Sequence, residues 1–237
     1  MWILALETAT PTASVALVSD GQVVVEHNER SRRRHAESLV PTVESLLKEQ
    51  GLTPRDLGAV ACGRGPGSFT GLRIGLSTAK GLAQALDLPL ITISTLDILA
   101  AATFFPGSLV APLMDAKQGH IYVAFYEETW PSPRPLTGYL ALRPPELASE
   151  ALRLAAGREV AVCGDGVSLA REALNAAGVP VREMPPVFNY PRAGVLGMLA
   201  FVELAQGAAG DAAAAEPLYV RRAAAELARE AKHGTCS

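Results

Sequence analysis

The stretch Val60-Ala61-Cys62-Gly63-Arg64-Gly65 is matched, at a constant offset, by Ala161-Val162-Cys163-Gly164-Asp165-Gly166. Each is a short apolar run that ends in a glycine turn and leads into a helical pattern, so each reads as a buried strand followed by a helix. The order of elements around the two stretches repeats as well. In the first half the pattern predicts strands over 2–7, 13–19 and 22–27, with Asp20-Gly21 as the hairpin turn before the third. A helix over 36–50, a strand over 57–63 and a long helix over 72–86 follow. In the second half it predicts strands near 109–115, 120–126 and 137–142, a helix over 144–156, a strand over 159–163 and a helix from Ser168. The chain is therefore expected to be an α/β protein of two tandem βββαβα units. The expected boundaries are an N-terminal subdomain over 1–106, a C-terminal subdomain over 107–220 and a tail over 221–237.

Two such units are the plan of the actin, hexokinase and Hsp70 ATPase superfold, in which ATP lies between the halves. An acidic residue at the end of the first strand there orients magnesium-bound phosphate. In this chain that place falls to Glu7, where the pattern usually has Asp, and the turn Thr8 to Ala13 carries Pro11 and no glycine. A longer carboxylate and a turn without glycine both hinder close approach of backbone to phosphate. An independent ATPase or kinase is the alternative reading, with Glu7, Asp115 or Asp165 as its phosphate-loop acid.

The run Gly63-Arg64-Gly65-Pro66-Gly67-Ser68-Phe69-Thr70-Gly71-Leu72-Arg73-Ile74-Gly75 joins a strand to a helix N-terminus, where free amides favour anions. It matches none of the motifs that use this arrangement. A Walker loop requires Lys and then Ser or Thr after its last glycine, whereas Gly71 is followed by Leu72 and Arg73. A dinucleotide fingerprint requires a third glycine where Ser68 stands. A nucleophile elbow requires glycines on both sides of its serine at alternate positions, and Ser68 has Pro66 and Thr70 there. Ser68 is instead a good helix N-cap.

Composition excludes several classes. With 237 residues and 49% hydrophobic side chains the chain can bury one large core or two small ones. Its apolar runs are too short to span a bilayer, and Met1-Trp2-Ile3-Leu4 lacks the basic lead of a secretory signal, so a cytoplasmic protein without membrane contact is expected. The net charge of −3 argues against strong RNA binding by the chain alone. Arg30, Arg32, Arg33 and Arg34 form one basic cluster, but no aromatic residues are interleaved for base stacking. Cys62, Cys163 and Cys236 lack the paired spacing of disulfides or zinc sites, and the first two read as small core residues.

On the first helix Ala36, Leu39, Val40, Val43, Leu46 and Leu47 form one stripe. On the second, Leu72, Ile74, Leu76, Ala79, Leu82, Ala83 and Leu86 run nearly all round, with Gly71, Gly75 and Gly81 between them. Such a helix is either sandwiched within its own domain or covered on a second side by a partner.

Three segments resemble the TsaB (YeaZ) family. They are Ile3-Leu4-Ala5-Leu6-Glu7-Thr8-Ala9-Thr10 with Ser14-Val15-Ala16-Leu17, His35-Ala36-Glu37-Ser38-Leu39-Val40-Pro41, and the glycine run from Gly65 to Gly75. A weaker likeness lies in Pro217-Leu218-Tyr219-Val220-Arg221. The resemblance implies the same superfold and a non-catalytic, scaffolding paralogue of TsaD, in the bacterial machinery that makes threonylcarbamoyladenosine beside the anticodon of tRNA. It implies a TsaD-like catalytic partner, a TsaE-like ATPase, a homodimer when alone, and tRNA contact mainly through the complex. It also implies no tightly bound cofactor, with ATP or ADP at a subunit interface of the complex. TsaD holds a metal with two histidines on its first helix; here His35 is followed four residues later by Leu39, and no metal is expected. The family's partner surface on the first two helices maps to Leu39, Val43, Leu46, Gly71, Leu72, Arg73, Gly75, Leu76, Ala79 and Leu82. Charged substitutions at Leu76 or Leu82 are then expected to dissociate partners.

Overall fold

The computed structural model describes residues 1–30, 35–103, 105, 107–127 and 129–220, with the side chains of His35 and Ala36 left out. The first half opens with strands β1 (Trp2–Glu7), β2 (Thr12–Ser19) and β3 (Gln22–Arg30), helix α1 (His35–Glu49), strand β4 (Leu57–Gly63) and helix α2 (Phe69–Leu86). Asp20 and Gly21 both have positive φ, 50° and 76°, as the expected hairpin turn requires. Strand β5 (Leu90–Ile93) and helix α3 (Thr95–Ala102) follow and extend the expected βββαβα unit, as the last strand and helix of the second half do there. The second half repeats the order with β6 (Leu109–Asp115), β7 (Ile121–Val123), β8 (Leu140–Leu142), α4 (Pro144–Ala155), β9 (Val160–Cys163), α5 (Val167–Ala176), β10 (Val181–Glu183) and α6 (Ala193–Ala205).

Both sheets have five strands in the same arrangement, β3-β2-β1-β4-β5 and β8-β7-β6-β9-β10. In each, the first strand is central, antiparallel to the hairpin on one side and parallel to the crossover strands on the other. Cys62 and Cys163 lie on the corresponding strands β4 and β9, both free and fully buried. Burial pushes both thiols up, Cys163 to about 12, so they are inert core residues.

The two faces of the first sheet differ. Leu4, Leu6, Val15, Leu17, Val60 and Cys62 point to α1 and α2, where they meet Leu39, Val43, Leu46, Leu76 and Ala79. The alternate residues Ile3, Ala5, Ala16, Val18, Ala59 and Ala61 point to α6 and meet Leu196, Leu199 and Ala200. Four of those six sheet residues are alanine, which lets α6 come close. At Gly197 a β-carbon would stand 2.5 Å from Val18 Cγ2 and 3.3 Å from Ala5 Cβ.

Packing crosses the expected boundary at 106/107 in both directions. Helix α6 belongs by sequence to the second half but packs on the sheet of the first. Its N-terminus is fastened there: Ala193 N donates to Ser14 Oγ (2.8 Å), Gly194 N donates to Glu26 Oε1 (2.8 Å), and Arg192 pairs with Glu26. Reciprocally, α3 follows the first sheet but sets Leu96, Leu99 and Ala100 against Val110, Met114 and Tyr126 of the second half. Residues 221–237, the expected tail, lie outside the described residues, as do Arg32, Arg33 and Arg34 of the basic cluster.

Candidate functional site

The site that the sequence marks is built where β1 ends and α2 begins. Glu7 closes β1, and its side chain turns inward rather than to solvent. It is fully buried, accepts from Ala9 N at 2.6 Å and from Thr95 Oγ1 at 3.4 Å. Burial raises its carboxyl from 4.5 to about 7, against the lowering effect of those hydrogen bonds.

The glycines of the turn exist for close packing against this carboxylate and its neighbours. A β-carbon on Gly63 would fall on the Glu7 carboxylate, on Gly67 on the Ala9 carbonyl, on Gly71 on the Thr8 carbonyl, and on Gly75 on Thr8 Oγ1. Spaced four apart, these residues form one line along the residues that follow β1. Hydrogen bonds stitch the two segments together: Ser68 N donates to Ala9 O (2.7 Å) and Thr8 Oγ1 donates to Gly71 O (2.8 Å). Ser68 caps α2 as expected, its Oγ accepting from Gly71 N at 3.3 Å. The end of β4 is tied to β5 and α3 through Arg64 N to Ile93 O (2.9 Å) and Thr95 N to Gly65 O (2.8 Å).

Chemically, this arrangement is closed on itself. The Ala9 amide is spent on Glu7, and the Glu7 carboxylate has no solvent-accessible oxygen. The corresponding acids of the second half are also engaged. Asp115 N donates to Asp165 Oδ1 at 3.0 Å, and Lys117 Nζ lies 2.5 Å from Asp115 Oδ2. Among the described residues no group of three or more His, Cys, Asp or Glu is placed to hold a metal. The imidazole of His35 lies outside the described residues.

The residues expected at a partner surface separate into two sets. Leu39, Val43, Leu46, Leu72, Leu76 and Ala79 are buried, their side chains committed to the chain's own core, and Gly71 and Gly75 are buried against Thr8. Leu76, only 5% exposed, is therefore not on an outer side of α2, and Leu82 is half-buried against the same core. The reason is that α2 packs into a core cluster shared with the sheet and α1, which Ala212 and Ala215 of the chain's own C-terminal segment also join. Arg73 is exposed. It lies over the ring of Phe69, its guanidinium carbon 3.9 Å from the ring centroid. Phe69 and Tyr219 stack at 5.5 Å, and both are exposed, at 40% and 45%; on α1 Val40 is exposed at 44%. The helical spacing named the core side of these helices. Phe69 stands inside the glycine run and Tyr219 inside the late Pro-Leu-Tyr-Val segment, so both motifs carried the signal.

A second polar cluster lies between the halves, and the sequence did not mark it. Asp97 of α3 accepts from Tyr126 Oη (2.6 Å) and Tyr139 Oη (2.7 Å). Burial raises its carboxyl, opposed by the two hydroxyls. Asp97 and Glu203 line a pocket of ≈ 50 Å³ with Ser132 and Leu199, the room of about one or two waters.

A family model described as "TsaD: tRNA N6-adenosine threonylcarbamoyltransferase" matches residues 25–229. The solved structure "YeaZ from Pseudomonas aeruginosa" superimposes with a TM-score of 0.78 at 32% identity, covering 92% of this chain and 99% of that one. The chain belongs to the TsaB (YeaZ) branch of this family. The TsaB proteins of Escherichia coli and Bacillus subtilis are 43% and 37% identical over 129 and 127 residues, in each case 54% of this chain. The matched part spans about half the length of these curated relatives, 55% and 56% respectively. The tRNA N6-adenosine threonylcarbamoyltransferase of Thermus thermophilus is 36% identical over 140 residues, covering 52% of this chain and 43% of that protein. A ROK family protein of Streptococcus pneumoniae and an Arthrobacter polyphosphate/ATP-glucomannokinase share the fold, each with a TM-score of 0.52 at 10% and 14% identity. The TsaB fold here is thus that of the actin and hexokinase ATPases, and a shared fold carries no activity with it. No described helix is long and apolar enough to cross a membrane.

Proposed function

We propose that this chain is a non-catalytic scaffold subunit in the synthesis of threonylcarbamoyladenosine in tRNA. It docks on a TsaD-type transferase, which performs the chemistry with a TsaE-type ATPase, and the same face pairs two copies of the chain when it is alone. The observation that supports this reading is the closed turn: Glu7 is buried and bonded to Ala9 N, and Gly63, Gly67, Gly71 and Gly75 pack directly on residues 7–9. A chain so packed offers a surface rather than a reaction centre. The surface we assign is the outer side of α1 and α2, with Val40, Phe69 and Arg73 in place of the buried leucines. Exposed aromatic and Arg side chains of this kind are what protein interfaces use as anchors. Any ATP or ADP is held between subunits of the complex, and tRNA is held chiefly by the partner, in keeping with the net charge of −3.

The test is tRNA threonylcarbamoylation by the TsaD and TsaE proteins of the same organism, with this chain present or omitted. Loss of product on omission is expected. Full activity without the chain overturns the reading. Magnesium-dependent ATP turnover by the chain alone, abolished in Glu7→Gln, would establish the kinase alternative instead.

A further inference from the structure

After α6 the chain runs without helix or strand over residues 207–219 and returns across the first half. An irregular stretch of that length in a compact protein calls for a reason, since most connections are shorter than about 12 residues. Its path is fixed along its length. Gly210 packs on β5, where a β-carbon would come within 2.6 Å of the Leu90 carbonyl carbon. Ala213 O accepts from Lys80 Nζ of α2 at 3.3 Å, and Ala215 is buried in the core cluster shared by the first sheet, α1 and α2. The segment then reaches the glycine turn. Leu218 N donates to Arg64 O at 2.7 Å, and a β-carbon on Gly65 would stand 3.2 Å from Leu218 O. Tyr219 stacks on Phe69 and its hydroxyl accepts from Arg73 Nε at 3.5 Å.

The contacts of Leu218 and Tyr219 thus converge on Arg64, Gly65, Phe69 and Arg73, all within the glycine run. Two sequence motifs about 150 residues apart meet at one place. From this convergence we infer that Leu218 and Tyr219 form a clip that positions the turn from Arg64 to Gly71 and the first turn of α2, and that a partner on this face meets the closed clip rather than the bare helix. The physical need is plain. Gly65, Gly67 and Gly71 have no side chains to pack, and glycine has the most backbone freedom to lose on folding. A hydrogen bond to Arg64 and a ring laid on Phe69 restrain that freedom from outside. The clip is a positioning device and takes no part in chemistry. Its link to partner binding rests on the scaffold reading; its effect on the turn does not.

Hydrogen exchange of the full chain tests the clip. In Tyr219→Ala, amides of residues 64–73 are expected to exchange about tenfold faster, while those of β1 and β6 are unchanged. Tyr219→Phe keeps the stack and is expected to behave as the parent. Leu218→Pro, which removes the donated amide, is expected to reproduce Tyr219→Ala. Affinity for the TsaD-type subunit is expected to fall about tenfold in Tyr219→Ala and to recover in Tyr219→Phe. Unchanged exchange at 64–73 in both Tyr219→Ala and Leu218→Pro overturns the clip, as does a rise spread evenly over the sheet. Faster exchange with unaltered affinity overturns its link to docking. A failure of the scaffold reading is distinguishable, because the unsubstituted chain would then bind no TsaD-type subunit at all.

Discussion

The carboxylate of Glu7 fills the space that a β-carbon on Gly63 would need. One residue ends β1 and the other ends β4, and the parallel pairing of those strands brings them together. The pair explains why the glycine run begins where it does, one position after the buried Cys62.

Gly63→Ala is expected to cost about 1–3 kcal/mol, as overpacking of a filled site does. The Glu7 side chain cannot simply swing away, because Ala9 and Thr95 hold it. In a Glu7→Ala background the same substitution has room and is expected to cost less. Urea unfolding of the four chains in this cycle measures the coupling, and strict additivity would contradict the packing described.

The pH dependence of stability follows from the raised carboxyl of Glu7. The folded state keeps its proton up to about 7, whereas the unfolded chain releases it near 4.5. Between these values the folded state binds more protons, so stability falls as pH rises through the window, by about 3 kcal/mol in total. The contribution is whole below the unfolded value and lost above the folded one. Glu7→Gln cannot ionise and is expected to flatten this slope, which denaturation midpoints from pH 4.5 to 8 will show.

Two glycines of α2 make opposite predictions. Gly81 has nothing within 4 Å of its would-be β-carbon, so Gly81→Ala is expected to stabilise by about 0.5–1 kcal/mol through helix propensity. Gly71 abuts the Thr8 carbonyl, a backbone atom that cannot rotate aside, and Gly71→Ala is expected to destabilise by about 1–3 kcal/mol. Thermal unfolding distinguishes a shift of each sign.

Charge on the two sides of α2 separates folding from docking. Leu76→Glu places a carboxylate in the core at a 5% exposed position and is expected to cost more than about 4 kcal/mol, enough to unfold a marginal chain. Arg73→Glu changes an exposed side chain and is expected to leave the fold intact, within about 1 kcal/mol. Circular dichroism together with sedimentation, alone and with a TsaD-type subunit, checks both halves. Loss of association with retained fold is expected for Arg73→Glu; retained association would remove this face from the proposed interface.

Much of this was written in the residues themselves. Apolar runs with the right periods marked β1, β2, β4, α1 and α2, and Asp20-Gly21 marked its hairpin, because these signals are local and depend on backbone preference and alternation. The matched stretches around Cys62 and Cys163 exposed the duplication for the same reason. Other features depend on residues far apart in the chain. Leu76 was expected outside because the family's partner surface maps there, while the apolar pattern of α2 alone fitted a core position as well; the tertiary fold buries it in a core that Ala212 and Ala215 also join. The stretch that forms α6 was placed with the half it follows and was not marked as a helix; the alanines of the first sheet and the fastening by Ser14 and Glu26 draw it across. The glycines of the turn announced a close approach but not its object. Only the pairing of β1 with β4 decided that the object was the buried carboxylate of Glu7, since register between distant strands is set by packing and not by either segment alone.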